Sequence, residues 1–495
     1  MDIVIATPTK AIIKNATEAE LQSIGRHLSY TNTSISFQLS QHKKNRWWKQ
    51  RNPVTYAEKE QELQSALRGC LLEYDGKDHW IRPGTIPHLN ITPSRVFNQV
   101  VYPDFKPILW KRKPAFEPYE YQKTAVERLM AEKHGNISLP TGCGKSYILL
   151  LLSKYMGLKT VVITPSKSIF NELLEEFQER LGKENVGGYG DGMKDVTKRI
   201  TIAIGKSLTM LEPGTKAYDF FKEKQALLVD ESHTFAAEQL NDVCHGVLAD
   251  VPYRMFVSAT QTRNDGTEKL LDSIIGRNVY EMDLRSAIDG GFLCPLRFAI
   301  LSTTSPDLRR IDDPAKCKRV HFLYNRNIAE LIAKIANASW TVKQQSTLVL
   351  VEELEQIELL TKLLKVPYAY VHSADKKKAA EFGLEKVDLQ ESVDKFNKGE
   401  VKVLIGTKAI ATGTNLYPTH STVNWMGGSS EIVTKQGAMG RSTRRLEISK
   451  FKDFHVPKPY TMVYDFRVKG VDMLDKQLVK RAEFYKEAGG EIRYF

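Results

Sequence analysis

Apolar positions in this chain follow two periods, and the switches between them outline its architecture. Across residues 116–295, short runs that are apolar at every position, such as Ala226–Val229, are followed by longer amphipathic stretches. Continuously apolar runs belong to strands buried on both faces, and the intervening stretches to crossover helices. The expectation is a parallel sheet covered by helices on both sides. The rhythm returns beyond residue 296: residues 347–360 read as a strand then a helix, and a last helix runs over residues 471–488 to stop at Gly489-Gly490. Pro295 and the irregular run to residue 320 read as a hinge region. The first 95 residues differ. Residues 3–5 and 11–13 read as strands, Thr17-Glu18-Ala19-Glu20 is a capping box opening a helix to about Leu28, and residues 34–39 alternate as a strand. Residues 96–115, rich in Pro103, Pro107, Pro114 and the basic run at 111–113, read as a linker. The expected order is a small α+β domain over 1–95, the linker 96–115, one α/β domain over 116–295 and a second over 296–495.

Two polar motifs punctuate the first α/β domain. LPTGCGKS at 139–146 follows the phosphate-binding loop pattern, with Leu139 where the strict pattern has glycine. Such a loop wraps backbone N–H groups around phosphate oxygens at a helix N-terminus, where orphan donors and the helix dipole favour an anion. Thr141, Gly142, Cys143 and Gly144 would form the wrap, Lys145 would neutralise the β and γ phosphates, and Ser146 would offer its hydroxyl to Mg²⁺. The second motif is VDESH at 229–233, in which Asp230 and Glu231 emerge at a strand's carboxyl end, the edge where ligands of open α/β sheets collect. Asp230 would hold Mg²⁺ and Glu231 would polarise the attacking water. Together the two motifs point to an ATPase.

The order of further motifs resembles superfamily 2 helicases and translocases, of which DESH is the DExH box. FEPYEYQ at 116–122 resembles the adenine-reading segment, which implies that Gln122 bonds the adenine edge and that Tyr119 stacks on the ring. VVITPSKSI at 161–169 and TIAIGKSL at 201–208 resemble the segments that touch the nucleic-acid backbone, through Thr164, Pro165, Ser166, Lys206 and Ser207. SAT at 258–260 resembles the motif that connects nucleotide and nucleic acid, and residues 261–266 are similar to the run that follows it in XPB-like and UvsW-like DNA helicases. Residues 347–360 are similar to the strand and helix of motif IV. In VLIGTKAIATGTNL at 403–416, the resemblance places Thr407 on the nucleic-acid backbone and Gly413 and Asn415 near the nucleotide, with Asn in place of the usual acidic residue. QGAMGRSTR at 436–444 matches Q-x-x-G-R-x-x-R; the resemblance makes Gln436, Arg441 and Arg444 catalytic, the two arginines lying three apart on an expected helix as candidate arginine fingers. It implies two tandem RecA-like lobes after a small N-terminal domain, ATP and Mg²⁺ as cofactors, and an ATP-dependent helicase or translocase. The short core most resembles branched-DNA helicases of bacteriophages, which implies forked or branched DNA as the partner and recombination, repair or replication as the setting. Two rivals share these motifs. The motor of a restriction system normally brings a nuclease or large docking regions, and an RNA helicase normally carries a DEAD box.

Composition adds to this at three points. The net charge of +12 suits a polyanionic partner. Its densest basic stretch, HKKNRWWKQR at 42–51, sets five Lys and Arg residues around Trp47 and Trp48. These indoles would stack bases or wedge a fork while the charges track phosphates, or the stretch is a hairpin with one core tryptophan and a solvated basic face. DKKK at 375–378 reads as a solvated loop or a DNA contact. Five scattered cysteines without C-x-x-C pairs read as reduced thiols of a cytoplasmic protein. No apolar run reaches the ~20 residues of a membrane span. The opening MDIVIATPTK has neither a basic start nor a cleavage site, so no secretory signal is expected, and nothing in the chain calls for an obligate protein partner.

Overall fold

The computed structural model describes residues 1–495 except 115, 236, 260–265, 308, 408–409, 411–414, 430–438, 441 and 448. The chain divides into two compact units, Met1–Leu139 with Gly144–Glu281, and Met282–Phe495 with the short segment Pro140–Cys143.

The first unit is built on an eight-stranded sheet in the order Met193–Lys194, Val186–Gly190, Ile200–Ile204, Thr160–Thr164, Ala226–Val229, Tyr253–Ser258, His134–Ser138, Asn278–Glu281. Its neighbours are parallel except at the Met193–Lys194 edge. The central strands are fully buried; Ala226–Val229 is apolar at every position, whereas Tyr253–Ser258 also buries Arg254. The strands ending at Ser138, Ser258 and Val229 are adjacent, so the segments that follow them leave one edge of the sheet side by side.

The N-terminal region carries its own five-stranded sheet, in which Asp2–Thr7 lies between Lys10–Lys14 and Arg95–Asn98. The capping box forms as the sequence predicts: Thr17 Oγ1 accepts from Glu20 N, Glu20 reaches back to Thr17 N, and the helix spans Glu18–Leu28. Ile3, Ile13, Ile24, Leu28 and Ile81 belong to the same apolar cluster as Leu227, Phe256 and Ile274 of the large sheet and its helices. Polar contacts reinforce this seam, with Asn32 Nδ2 donating to Glu238 Oε1 at 2.9 Å and the Lys269 ammonium donating to the carbonyls of His27 and Ser29. The expected linker is strapped along the lobe, with Lys106 N bonded to Met156 O and Ile108 N to Lys154 O.

One expectation fails here. Residues 34–39, read as a strand, lie inside the helix Thr33–Lys44. Asn32 caps it by accepting from Ile35 N at 3.1 Å. Ile35 and Leu39 are as compatible with i,i+4 spacing on one helix face as with strand alternation, and Phe37 between them is 65% exposed. The basic stretch is not a hairpin either: it spans the end of that helix and the short helix Arg46–Arg51, followed by Pro53–Ala66. These three helices form an excursion between the paired strands Ser29–Thr31 and Arg68–Cys70.

The second unit holds a seven-stranded parallel sheet in the order Tyr368–Val371, Val403–Gly406, Ser346–Leu350, Thr419–Asn424, Thr461–Lys469, Leu296–Thr304, Glu491–Tyr494. The residues expected as a hinge after Pro295 are therefore corrected: Leu296–Thr304 is a nine-residue strand paired along its whole length with Thr461–Lys469. The last helix spans Asp472–Glu487, and an unforeseen strand, Glu491–Tyr494, follows it at the sheet edge. Lys376–Lys378 open a short helix capped by Asp375 rather than forming a loop. Arg481 and Asp465, 2% and 1% exposed at their side chains, form a two-pronged buried ion pair that also takes in the Tyr485 hydroxyl and the Gly428 carbonyl. No helix among the described residues is long and apolar enough to cross a membrane.

Candidate nucleotide and nucleic-acid site

The phosphate-binding loop follows the strand His134–Ser138 and opens the helix Lys145–Met156. Gly142 and Gly144 take φ of 97° and 71°, values that L side chains rarely adopt, so the turn requires glycine at both. At Gly144 an added Cβ would also lie 2.5 Å from Gln122 Nε2, so the glutamine amide would have to shift. Gln122 is buried against the loop, while its Oε1 accepts from Tyr119 N at 3.0 Å at the start of the helix Glu120–Glu132. Tyr119 is part-exposed and stacks on Tyr121. Thr141 and Cys143 are buried and Ser146 is half-buried.

Lys145 is 7% exposed. Its ammonium sits 3.3 Å from Glu231 Oε1 and donates to Leu139 O at 3.2 Å. Asp230 continues the strand ladder by donating its N–H to Ile163 O, and its carboxylate accepts from Glu231 N at 2.9 Å. Glu231 turns in the left-handed region, at φ 46°, which swings its carboxylate to the lysine. Burial raises the Asp230 pKa above the ordinary carboxylate range, and the neighbouring charge of Glu231 raises it further. His233, quoted in the motif but given no role by the sequence, completes the arrangement. Its Nδ1 lies 3.5 Å from Glu231 Oε2 and 2.8 Å from Ser258 Oγ. Lys145, Glu231, His233 and Ser258 thus form one connected polar chain across the carboxyl ends of three adjacent strands.

The expected backbone-contact residues occupy the same sheet edge. Thr164 is buried, its hydroxyl directed at Ser166 O and Ala203 O, while Pro165 is half-buried and Ser166 caps the helix Lys167–Leu181. Lys206 is exposed and Ser207 half-buried in the helical turn Gly205–Leu208. In the N-terminal excursion the two tryptophans differ. Trp47 is 61% exposed with the Arg51 guanidinium 4.5 Å over its ring, whereas Trp48 packs against His42 and the buried Tyr56.

In the second unit Thr407 follows the strand Val403–Gly406, and its hydroxyl is buried without a hydrogen-bond partner among the described residues. Asn415 accepts from Asn397 Nδ2 through its main-chain carbonyl. Arg444, expected on a helix, lies in an irregular stretch instead, because the carbonyls of residues 442–444 are taken by groups far along the chain rather than by helical N–H donors. The Arg444 guanidinium stands 5.7 Å from the Tyr417 ring, and its Nε is buried without a partner among the described residues. Thr260, the 261–265 run, Gly413, Gln436 and Arg441 lie outside the described residues.

Both units are similar in sequence to known proteins. A family model of the type III restriction enzyme res subunit matches residues 115–263, and the helicase conserved C-terminal domain matches residues 327–446. The DNA 3'-5' translocase XPB2 of Sulfurisphaera tokodaii is 25% identical over 367 residues, 67% of this chain and 80% of that protein. The ATP-dependent DNA helicase uvsW of Enterobacteria phage T4 is 21% identical over 348 residues, covering 66% of each chain, just under two thirds of that helicase. Among solved structures, yeast Dbp5 bound to RNA and ADP BeF3 matches at a TM-score of 0.51 and 13% identity over 76% of this chain and 90% of that one, a likeness of fold. With a nucleotide-loop module and a helicase C-terminal module in tandem, each on its own parallel sheet, the chain belongs to the superfamily 2 helicases.

Proposed function

We propose that this protein is an ATP-dependent DNA helicase or translocase that works on forked or branched DNA. The observation that carries the ATPase part is the connected chain Lys145–Glu231–His233–Ser258 beside a two-glycine loop at a helix N-terminus. The DNA part rests on the likeness to the archaeal translocase and the phage helicase, both DNA-acting by name.

The residues fit a magnesium–nucleotide. Asp230 and Glu231 share a buried site with Lys145 as counter-charge, and the burial that raises the Asp230 pKa is what a divalent cation beside it would offset. Ser146 and Asp230 would hold the metal, which supplies charge neutralisation on the phosphate oxygens. The loop N–H groups and Lys145 bind and orient the phosphates, and Gln122, beside Gly144, reads the adenine edge while Tyr119 offers its ring. Glu231 takes up the orientation of the attacking water once Lys145 turns to phosphate. His233 relays the state of Glu231 to Ser258 and so to the segment that follows it. Arg444, its Nε unpaired among the described residues, supplies positive charge to the γ-phosphate as charge develops there. Thr164–Ser166, Lys206, Ser207 and Thr407 hold a strand by its phosphates, which makes the motor sequence-independent. Preference for branches comes from the N-terminal excursion, where Trp47 stands exposed among basic residues.

The test is steady-state ATP hydrolysis with single-stranded, duplex, forked and four-way DNA and with matched RNA. Stimulation greatest with forked or four-way DNA, lost in Lys145→Ala and Glu231→Gln, supports the reading. Stimulation by RNA alone overturns the DNA assignment, and full activity in either variant overturns the site.

A further inference from the structure

Lys458 is a charged side chain in the interior of the second unit, 2% exposed, between two prolines at 457 and 459 and outside every motif that the sequence suggests. Burying an ammonium is costly unless every proton finds an acceptor. Here each does: Nζ donates to Ser442 O at 2.7 Å, to Arg444 O at 2.7 Å and to Tyr417 O at 3.2 Å. Those three carbonyls belong to two separate stretches, the irregular segment that carries Arg444 and the residue whose ring lies under the Arg444 guanidinium. One ammonium therefore ties the backbone of the arginine to the backbone of the aromatic that its side chain faces.

The surroundings are organised to the same end. Ser442 O also accepts from Thr461 Oγ1 at 2.8 Å, Thr443 O accepts from Cys294 N at 2.7 Å, and the Arg445 guanidinium donates to Gly291 O at 2.6 Å. Among the described residues, segment 442–445 has no helical ladder of its own to set its direction, so these bonds with residues 291, 294, 458 and 461 set it. An apolar side chain at 458 would fill the volume but leave three buried carbonyls without that donor. The Arg444 Nε, buried and unpaired among the described residues, stays available to a ligand only while the main chain beneath it stays in place.

We infer that Lys458 is a positioning residue for ATP hydrolysis, one that acts through Arg444 by holding its main chain and that of Tyr417 in a single arrangement. The inference rests on the proposed role of Arg444 at the γ-phosphate.

The experiment compares the full-length wild type with Lys458→Met, Arg444→Ala and the double variant, measuring kcat and KM for ATP on saturating DNA, with thermal melts as a check on folding. Displacement of a catalytic group by around an ångström costs on the order of 100-fold in rate. Lys458→Met is expected to lower kcat by about 10- to 100-fold with KM for ATP changed less than about threefold, and the double variant to be no slower than Arg444→Ala. A folded Lys458→Met with wild-type kcat, or a double variant slowed below Arg444→Ala by the full factor of Lys458→Met, overturns the inference. If Lys458→Met does not fold, Thr461→Val removes one donor to Ser442 O, and a wild-type kcat in that variant counts against the positioning network in the same way. Loss of hydrolysis in Arg444→Ala with none in Lys458→Met refutes only the role of Lys458; retention in Arg444→Ala refutes the reading of Arg444 on which it rests.

Discussion

Replacing Trp47 by alanine removes an indole that is 61% exposed and whose described partner is the Arg51 guanidinium, 4.5 Å from the ring. An exposed cation–π contact contributes about 0.5–1 kcal/mol, so Trp47→Ala should destabilise the protein by no more than about 1 kcal/mol. If the ring stacks a base at a branch, its loss costs about 1–3 kcal/mol, or roughly 5- to 150-fold in Kd for forked DNA. Trp48 should respond the other way round. It packs against His42, with centroids 5.3 Å apart, and against Tyr56 at 5.7 Å, and Tyr56 is itself 3% exposed and stacked on His42. Truncating a fully buried aromatic costs about 3–5 kcal/mol, so at this half-buried position Trp48→Ala should lose about 2 kcal/mol and loosen the excursion as a whole. The assay is fluorescence anisotropy with forked and linear DNA at one fixed salt concentration, paired with thermal melts. A Trp47→Ala protein that binds forks as the wild type does, or that weakens on forks and linear duplex alike, refutes the stacking argument. Equal stability losses in the two variants would refute the division of labour between the indoles.

Arg444→Ala should keep nucleotide and DNA affinity while single-turnover hydrolysis falls on the order of 10³-fold, and loss of affinity with unchanged turnover of bound ATP would contradict the role of a finger. Arg481→Met strands the Asp465 carboxylate in the interior and should lower stability by about 3–5 kcal/mol in chemical denaturation, a loss that Arg481→Met with Asp465→Leu should partly restore. Lys224, buried with its ammonium 2.8 Å from Thr201 Oγ1, has its pKa lowered by burial to about 7. An unfolded lysine keeps its proton to about pH 10.4, so between about 7 and 10 the unfolded state holds the extra proton and stability rises with pH. From pH 7 to 9 the wild type should therefore gain thermal stability relative to Lys224→Met, and a constant difference between them would refute the shift.

What the chain determined locally was legible from its residues. The capping box at Thr17 closes with its own Glu20, the fully apolar run Ala226–Val229 has no use except as a central strand, and Gly142 and Gly144 stand where φ is positive. In each case the physical cause lies within a few residues, and the order of such segments was enough for two parallel sheets. Where two local solutions were compatible with one pattern, tertiary structure decided. Ile35 and Leu39 suit either a strand or a helix; the Asn32 cap and an excursion that pairs only at its neck chose the helix. Leu296–Thr304 is a strand because Thr461–Lys469, more than a hundred and fifty residues later, supplies its ladder. Arg444 was recognisable as a candidate, but its irregular backbone was not, since the groups that hold it come from Lys458, Thr461 and Cys294. A lone lysine between two prolines carries no sign of function in sequence; only folding brings three distant carbonyls to its ammonium, and that convergence is a property of the tertiary structure alone.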